Sequence, residues 1–344
     1  MKLEEIARLA GVSRTTASAV VNGKAQQYRL SAKTVARVMA VVEQHKYQPN
    51  QTAAHLRSGA SRSLGFIVPD LENASYAKLA KHLEQGARER GYQLIISCSD
   101  DLPEVEIQLA QSLISRGVDA LLVASSLPPN NEFYPKLLRA GKPIIAIDRL
   151  LDPALFANVT SENFEGAASL TRASIEPNMQ RVAMIGALPQ LLVSSEREAG
   201  IYHTLEQHLP QADYQCFYGH HFSQEQGAVL MNKALNWQPD LIITTAYVLL
   251  EGGLEQLVRR PEWLQKIRLA TFGDNRLLDF LPHPINGLAQ QMPVLAERAT
   301  NIALRAINGD YPVGVEVVPR RLIVRSPNAL QRPSKAFPSE ALWR

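Results

Sequence analysis

The sequence predicts a small all-α head followed by an α/β body of two doubly wound parallel-sheet lobes. Three observations carry this. Residues 1 to 62 hold ten Lys or Arg and three Glu, a net +7, which leaves −4 of the overall +3 for the rest of the chain. Short apolar stripes at helical spacing fill that basic segment, whereas from Ser63 onward apolar runs alternate with amphipathic stretches. The 344 residues, 46% of them hydrophobic, are two to three times the common domain size and can bury several cores.

In the head, Leu3, Ile6, Ala7 and Ala10 fall at i, i+3, i+4 and i+7, and Gly11 stands where a left-handed cap ends a helix. Ser13 is placed to cap a second helix with Ala17, Val20 and Val21 facing inward, ending at Asn22-Gly23. Ser31 can cap a third, in which Val35, Val38, Met39 and Val42 repeat the inward spacing. Two short helices joined by a tight Gly-Val-Ser turn make a helix-turn-helix, whose second helix presents Arg14, Thr15, Thr16 and Ser18 at its exposed start. Arginine can hold guanine in a bidentate fork, and threonine offers a hydroxyl and a methyl for thymine. The concentrated positive charge fits a phosphate-binding surface, although charge alone leaves a solvated basic face open.

Residues 48 to 61 contain one candidate short helix between Asn50 and Arg57, with Pro49 before it and Gly59 after. Such a helix is too short to stand alone in water. It could fold when two copies pack on DNA and push Leu56 into the minor groove, or it could be an ordinary linker; the residues leave both open.

In the body, from residue 62 onward, strands are expected at Leu64 to Val68, Leu94 to Ser97, Ala120 to Ala124, Ile144 to Ile147, Val182 to Ile185, Leu241 to Thr245 and Leu269 to Phe272. Tyr76, Leu79, Ala80, Leu83 and Ala87 trace a helix between the first two, closed by Gly91. About ten strands exceed one comfortable sheet, so two lobes are predicted, with a boundary near Asn158 to Asn163. In such sheets ligands lie beyond the carboxyl ends of the strands. Polar residues cluster there: Asn73 with Ser75 and Tyr76, Ser125-Ser126, Asp148-Arg149, and Gly273-Asp274-Asn275. Asp and Asn suit sugar hydroxyls, and Arg149 could grip a phosphate.

Other classes find less support. Cys98 and Cys216 cannot make a disulfide framework and read as reduced core residues. No Gly-rich phosphate loop, Gly-x-Ser-x-Gly elbow or metal-ligand helix pattern occurs, so no catalytic residue, cofactor or metal is assigned. His220-His221 reads as a surface pair, since neighbours point to different sides. The amino terminus has no signal-peptide pattern, and no run approaches the ~18 apolar residues of a membrane span, so a cytoplasmic protein is expected. A transport sugar-binding protein would need a signal peptide and no basic head. An enzyme acting on sugar phosphates would be tested by turnover.

Ile6-Ala7-Arg8-Leu9-Ala10-Gly11-Val12-Ser13, Thr16-Ala17-Ser18 and Asn22-Gly23 resemble the DNA-reading signature of the lactose and purine repressor family of bacterial regulators. Pro49-Asn50 with Ala53, Ala54, Leu56 and Arg57 resembles that family's hinge helix, and the likeness covers nearly the whole chain. Lys24 to Arg29 as an extended loop, Val68 to Asn73, Ser125 to Pro129 and Phe272 to Asn275 resemble its fructose-responsive branch.

The resemblance implies a homodimer or homotetramer on a near-palindromic double-stranded operator, with Leu56 of both subunits prying open a central base step. The DNA contacts it implies are Arg14, Thr15, Thr16, Ser18, Asn22, Tyr28, Arg29 and Ser31, and Asn50, Leu56 and Arg57 in the hinge. It implies a body like a periplasmic sugar-binding protein, crossed three times by the chain: lobe 1 about 62–160 plus 290–322, lobe 2 about 161–289 plus 323–344. The allosteric effector implied is fructose 1-phosphate, with fructose 1,6-bisphosphate as an alternative, held by Asp148, Arg149, Arg197, Asp274 and Gln290, with Asn73, Ser75, Tyr76, Ser125, Ser126 and Tyr247 around them. Three departures stand out. Ala19 replaces a larger base-contacting side chain, Tyr247 stands where many sugar-binding members place Asn or Asp, and Lys335 to Arg344 lacks leucine heptads.

Overall fold

The computed structural model describes residues 1–47, 61–264 and 266–326, and the chain divides into two compact units, Met1–Ser61 and Arg62–Arg344. Asn50, Leu56, Arg57 and the rest of the expected hinge up to residue 60 lie outside the described residues, as does Lys335 to Arg344.

The first unit packs α1 (Leu3–Leu9), α2 (Arg14–Val21) and α3 (Ala32–Gln44) around Ile6, Ala7, Ala10, Ala17, Val20 and Val38. Gly11 takes φ +59, which a glycine adopts without a Cβ penalty, and so turns the chain between the first two helices. Ser13 accepts from the Thr16 amide at 3.1 Å and Ser31 from the Thr34 amide at 3.2 Å, each satisfying a donor that the helix itself leaves unpaired. Met39, expected to face inward, is 45% exposed; α3 instead turns Val35, Val38, Val41 and Val42 toward the core. Met39 and Val42 are three residues apart and both fit the 3.6 period, so spacing could not say which edge meets the partner helices.

The second unit contains two six-stranded sheets. In the first, β1 (Ser63–Val68), β2 (Gln93–Cys98), β3 (Ala120–Val123), β4 (Ile144–Ile147), β5 (Ala157–Ser161) and β11 (Gly314–Val318) run parallel in the order β11-β5-β4-β3-β1-β2. α4 (Ala74–Glu89) and α11 (Met292–Ile307) cover one face, α5 (Pro103–Ser115) and α6 (Phe133–Arg139) the other. Burial on both faces is why β3 and β4 read as unbroken apolar runs. The stripe Tyr76, Leu79, Ala80, Leu83 and Ala87 is wholly buried on α4.

The second sheet is built from β6 (Arg181–Ala187), β7 (Asp213–Gly219), β8 (Leu241–Thr244), β9 (Arg268–Phe272) and β10 (Ile285–Ala289), all parallel, and β12 (Arg321–Ile323), antiparallel to β10. α7 (Phe164–Arg172) and α8 (Leu192–His208) lie on one face, α9 (Gln224–Asn236) and α10 (Tyr247–Arg259) on the other. The chain passes between the sheets after β5, after β10 and after β11. Two bounds differ from expectation: β5 keeps Ser161 in the first lobe, and β12, placed through residue 322 in the first lobe, belongs to the second because Leu322 pairs with Leu288. Cys98 and Cys216 are free and half-buried at the margins of their cores, and the Cys216 thiol donates to Glu198 Oε1 at 3.0 Å.

Candidate functional site

In the body, the carboxyl ends of the strands open into a cavity between the two lobes. From the first lobe come Asn73, Ser75 and Tyr76 at the start of α4, and Asp148-Arg149 after β4. From the second come Arg197 on α8, Thr245 and Tyr247 after β8, and Phe272 at the end of β9. Gln290 and Arg320, on two of the crossing segments, line it as well.

Asp148 is held in place from several sides. Its backbone takes φ +67, a left-handed conformation costly for a residue with a Cβ, and the Thr160 hydroxyl donates to its carbonyl at 2.9 Å. Its carboxylate accepts from the Tyr76 hydroxyl at 3.0 Å and from Gln290 Nε2 at 2.9 Å. Arg149, 5% exposed, is ion-paired with Asp101. Burial pulls its guanidinium down, but the carboxylates of Asp101 and Asp148 beside it outweigh burial and leave it above its ordinary value. Burial likewise keeps the Tyr76 phenol neutral, well above its ordinary range.

Arg197 and Arg320 are as buried and are paired differently. Arg197 donates to Asn163 Oδ1 at 2.9 Å and to the Thr245 carbonyl at 2.8 Å, and Arg320 donates to the Glu162 carbonyl at 2.8 Å. Both guanidiniums lie over the Phe272 ring, at 4.9 and 5.2 Å. Burial lowers Arg197, and burial together with neighbouring Arg197 pulls Arg320 down to about 9, so Arg320 stays charged at neutral pH. The lining thus carries three guanidiniums, of Arg149, Arg197 and Arg320, and the carboxylate of Asp148, with Asp101 ion-paired to Arg149 behind it. Thr245 Oγ1 is buried in the same lining and makes no hydrogen bond. A ligand with one anionic group and several hydroxyls matches this set, because an unpaired buried polar atom is costly until something meets it.

Three residues expected at the site lie outside the cavity lining. Ser125 and Ser126 do follow β3, but their side chains turn away from the cavity to the buried Glu106 of α5. The Ser125 hydroxyl donates to Oε1 at 2.6 Å, and the Ser126 amide and hydroxyl donate to Oε2 at 2.7 and 2.8 Å. The Tyr134 hydroxyl fills a further lone pair at 2.8 Å, so Glu106 captures this loop for the fold. Asp274 does not line the cavity either; Arg325 donates to its Oδ1 at 2.8 Å, while Gly273 beside it reaches the lining. Arg320 and Thr245 were missed by sequence reasoning. Thr245 was legible as the last residue of an apolar run, but Arg320 is brought in by the last crossing and carries no local signal.

In the head, Arg14, Thr15, Ser18, Asn22 and Tyr28 line one concavity with Ala19 and Lys24. Arg14 also meets Glu4 at 3.4 Å in an exposed pair that contributes little. Asn22 Nδ2 donates to the Ser18 carbonyl at 2.7 Å, fixing the end of α2. Thr16 and Ser31 are not in this lining: the Thr16 and Ser13 hydroxyls are 2.9 Å apart and share a hydrogen bond, and Ser31 caps α3. Ala19, read as a position facing bases, is only 4% exposed. Residues 24 to 29, expected as an extended loop, form a compact turn in which Arg29 takes φ +50. His220 and His221 are exposed, and among the described residues no group of three or more His, Cys, Asp or Glu could hold a metal. No helix among them is long and apolar enough to cross a membrane.

Residues 2–50 match the bacterial regulatory proteins of the lacI family, and residues 61–266 match the periplasmic binding proteins and sugar binding domain of LacI family. The chain is 51% identical, over 95% of its length and all of the relative's, to the fructose operon regulatory protein of Vibrio cholerae. It is 45% identical to the catabolite repressor/activator of Escherichia coli, over 90% of this chain and 92% of that one. A solved structure of the Cra transcriptional dual regulator from Pseudomonas putida, in complex with fructose 1-phosphate, superposes with TM-score 0.74 at 45% identity, covering 77% of this chain and 99% of that one. The Lac repressor dimer bound to operator, 18% identical, shares the fold with TM-score 0.81 over 94% of this chain and 98% of its own.

Proposed function

The chain belongs to the lacI family of bacterial regulatory proteins, and from that premise we propose that a fructose phosphate, chiefly fructose 1-phosphate, enters the cleft of its body and releases its head from a near-palindromic operator. It is a DNA-binding, sugar-responsive regulator of carbon metabolism, and its relatives are transcriptional regulators. The observation that carries the effector is the pair Arg197 and Arg320, two buried guanidiniums whose N–H groups donate to neutral acceptors, beside the orphan hydroxyl of Thr245. These three take the phosphoryl group. Asp148, Arg149, Tyr76 and Gln290 then face the sugar hydroxyls, for which a fixed carboxylate and an amide supply acceptors and donors.

The pairing of Arg149 favours a monophosphate. Arg149 is already neutralised by Asp101, so the second phosphate of fructose 1,6-bisphosphate would have to break a buried ion pair. Two half-sites in a palindrome call for two heads, hence a homodimer or homotetramer. Calorimetric titration of the purified protein with fructose 1-phosphate, fructose 1,6-bisphosphate, fructose and inorganic phosphate tests the proposal, together with operator gel shifts in the presence of each. Tight binding of fructose 1-phosphate with loss of the operator complex is expected. Operator affinity unchanged at saturating fructose 1-phosphate would overturn it.

A further inference from the structure

We propose that the free edge of the first sheet, strand β11, docks antiparallel on the same edge of a second copy of this chain; this deepens the reading of the protein as a homo-oligomer by giving it a surface. β11 ends the strand order, and its inner side is taken by β5. The Gly314 amide donates to the Phe156 carbonyl at 3.0 Å, and the Glu162 amide to the Val318 carbonyl at 3.2 Å, which turns Gly314, Glu316 and Val318 toward β5. The N–H and C=O of one peptide unit point opposite ways. The amides of Val315 and Val317 and the carbonyls of Val313, Val315 and Val317 therefore face outward. Arg298 of α11 already donates to the Val317 carbonyl at 3.3 Å.

The groups left over are complementary in charge to one another. About a two-fold axis through Val315, the Val315 amide and carbonyl of each copy meet those of the other, and each Val317 amide meets the partner's Val313 carbonyl. The Val317 carbonyl keeps Arg298. Side chains agree with that register. Val313, Val315 and Val317 are 57, 40 and 49% exposed, on the face away from Val318, which is buried in the core beneath α4 and α11. Pairing sets Val315 against itself and Val313 against Val317, which takes apolar surface out of water. Alternating exposed valines on an edge strand invite such pairing, and natural proteins blunt an edge that is to stay free. On the other face Glu316, 3.7 Å from its own Arg298, stands opposite the partner's Gly314, where even a Cβ would meet nothing within 4 Å. An axis through Glu316 would instead set two carboxylates opposite each other and call on the Val317 carbonyl a second time. The strand is five residues long, so the contact is small and the association depends on concentration.

Sedimentation of the full chain over a range of concentrations tests this, beside Val315→Lys, which sets two ammonium groups against each other at the axis. The parent is expected to associate further as concentration rises, and Val315→Lys to lose that step. Equal masses at every concentration would overturn the proposal: a dimer in both leaves the two-headed reading standing, and a monomer in both removes that reading as well. Cysteine pairs test the register without relying on that variant. Residues paired at such positions lie ~5.5 Å apart between Cα atoms, within reach of a disulfide. Val315→Cys is expected to cross-link on oxidation, Val317→Cys alone to stay free, and Val317→Cys mixed with Val313→Cys to cross-link. The parent, which carries Cys98 and Cys216, serves as the blank. No cross-link in Val315→Cys would leave the edge to an extended segment of another protein, and one as fast in Val317→Cys alone would mean a different register; either would overturn the proposal.

Discussion

Arg197 and Arg320 share one acceptor. Arg197 Nε donates to Asn163 Oδ1 at 2.9 Å and Arg320 Nη2 to the same oxygen at 3.3 Å, so two like charges sit around a single neutral amide. Asn163 is itself held, its Nδ2 donating to Glu196 Oε2 at 3.0 Å. Neutral acceptors satisfy the geometry of a guanidinium without cancelling its charge. A phosphoryl group between them would do both, through charge-assisted bonds roughly twice as strong as neutral ones.

Arg320→Lys therefore keeps the charge but loses the fork that reaches Glu162 and Asn163 together. Affinity for fructose 1-phosphate is expected to fall by about tenfold, the scale of one charge-assisted hydrogen bond of ~1.5 kcal/mol. Calorimetry against the unaltered protein decides it, and equal affinities would remove Arg320 from the site.

The pH dependence has a definite sign. Arg320 is drawn down only to about 9 by burial and by Arg197, so it stays protonated through neutral pH and below. The titrating partner in that window is the ligand, whose second phosphate ionisation lies near ~6. Binding is expected to strengthen as pH rises through that value and then to level off. Titrations in buffers of different ionisation enthalpy should show protons released to solvent around that ionisation; affinity that falls with rising pH there would contradict the assignment.

Glu106 offers a contrast within the same lobe. It is fully buried, with four hydrogen bonds from Ser125, Ser126 and Tyr134 and no cation among these partners. Glu106→Ala would strand three side-chain hydroxyls and an amide, at ~1–3 kcal/mol for each that water cannot reach. We expect a loss of about 3 kcal/mol or more in denaturant unfolding of the body. Ser126→Ala should leave fructose 1-phosphate affinity within about twofold of the parent, since its hydroxyl serves Glu106. A large fall would return Ser126 to the effector site.

Local pattern announced some of these residues and hid others. The runs that became β1, β3 and β4 and the stripe of α4 were legible because each is set by its own local period and by burial on both sides. Asp148, Arg149 and Tyr76 were legible for a related reason, since the end of a parallel strand aims the next few residues at the cleft. The same rule misplaced Ser125, Ser126 and Asp274, because it fixes a position and not the direction in which a side chain finds its partner. Glu106 and Arg325 supplied those partners from 19 and 51 residues away. Arg320 was hidden more deeply: its acceptor Asn163 lies 157 residues earlier, and only the adjacency of two crossing segments brings them together.

That adjacency gives the last prediction. The crossings after β5, β10 and β11 are tied to one another, by the Arg320 amide to Glu162 Oε1 at 2.8 Å, the Glu162 amide to the Val318 carbonyl at 3.2 Å, and Gln291 Nε2 to the Pro319 carbonyl at 2.9 Å. Gln290 and Arg320, on two of those crossings, also line the cavity, so an effector that draws on them acts on the segments about which the lobes can turn. Linkage then requires operator DNA to weaken fructose 1-phosphate binding by the same factor by which fructose 1-phosphate weakens operator binding, typically about 5- to 150-fold. Gln291→Ala removes one tie without touching the cavity lining. It is expected to leave fructose 1-phosphate affinity in the absence of DNA nearly unchanged and to alter the coupling factor, measured by titrating each ligand with and without the other. Equal coupling in the variant and its parent would mean that the crossings do not carry the signal.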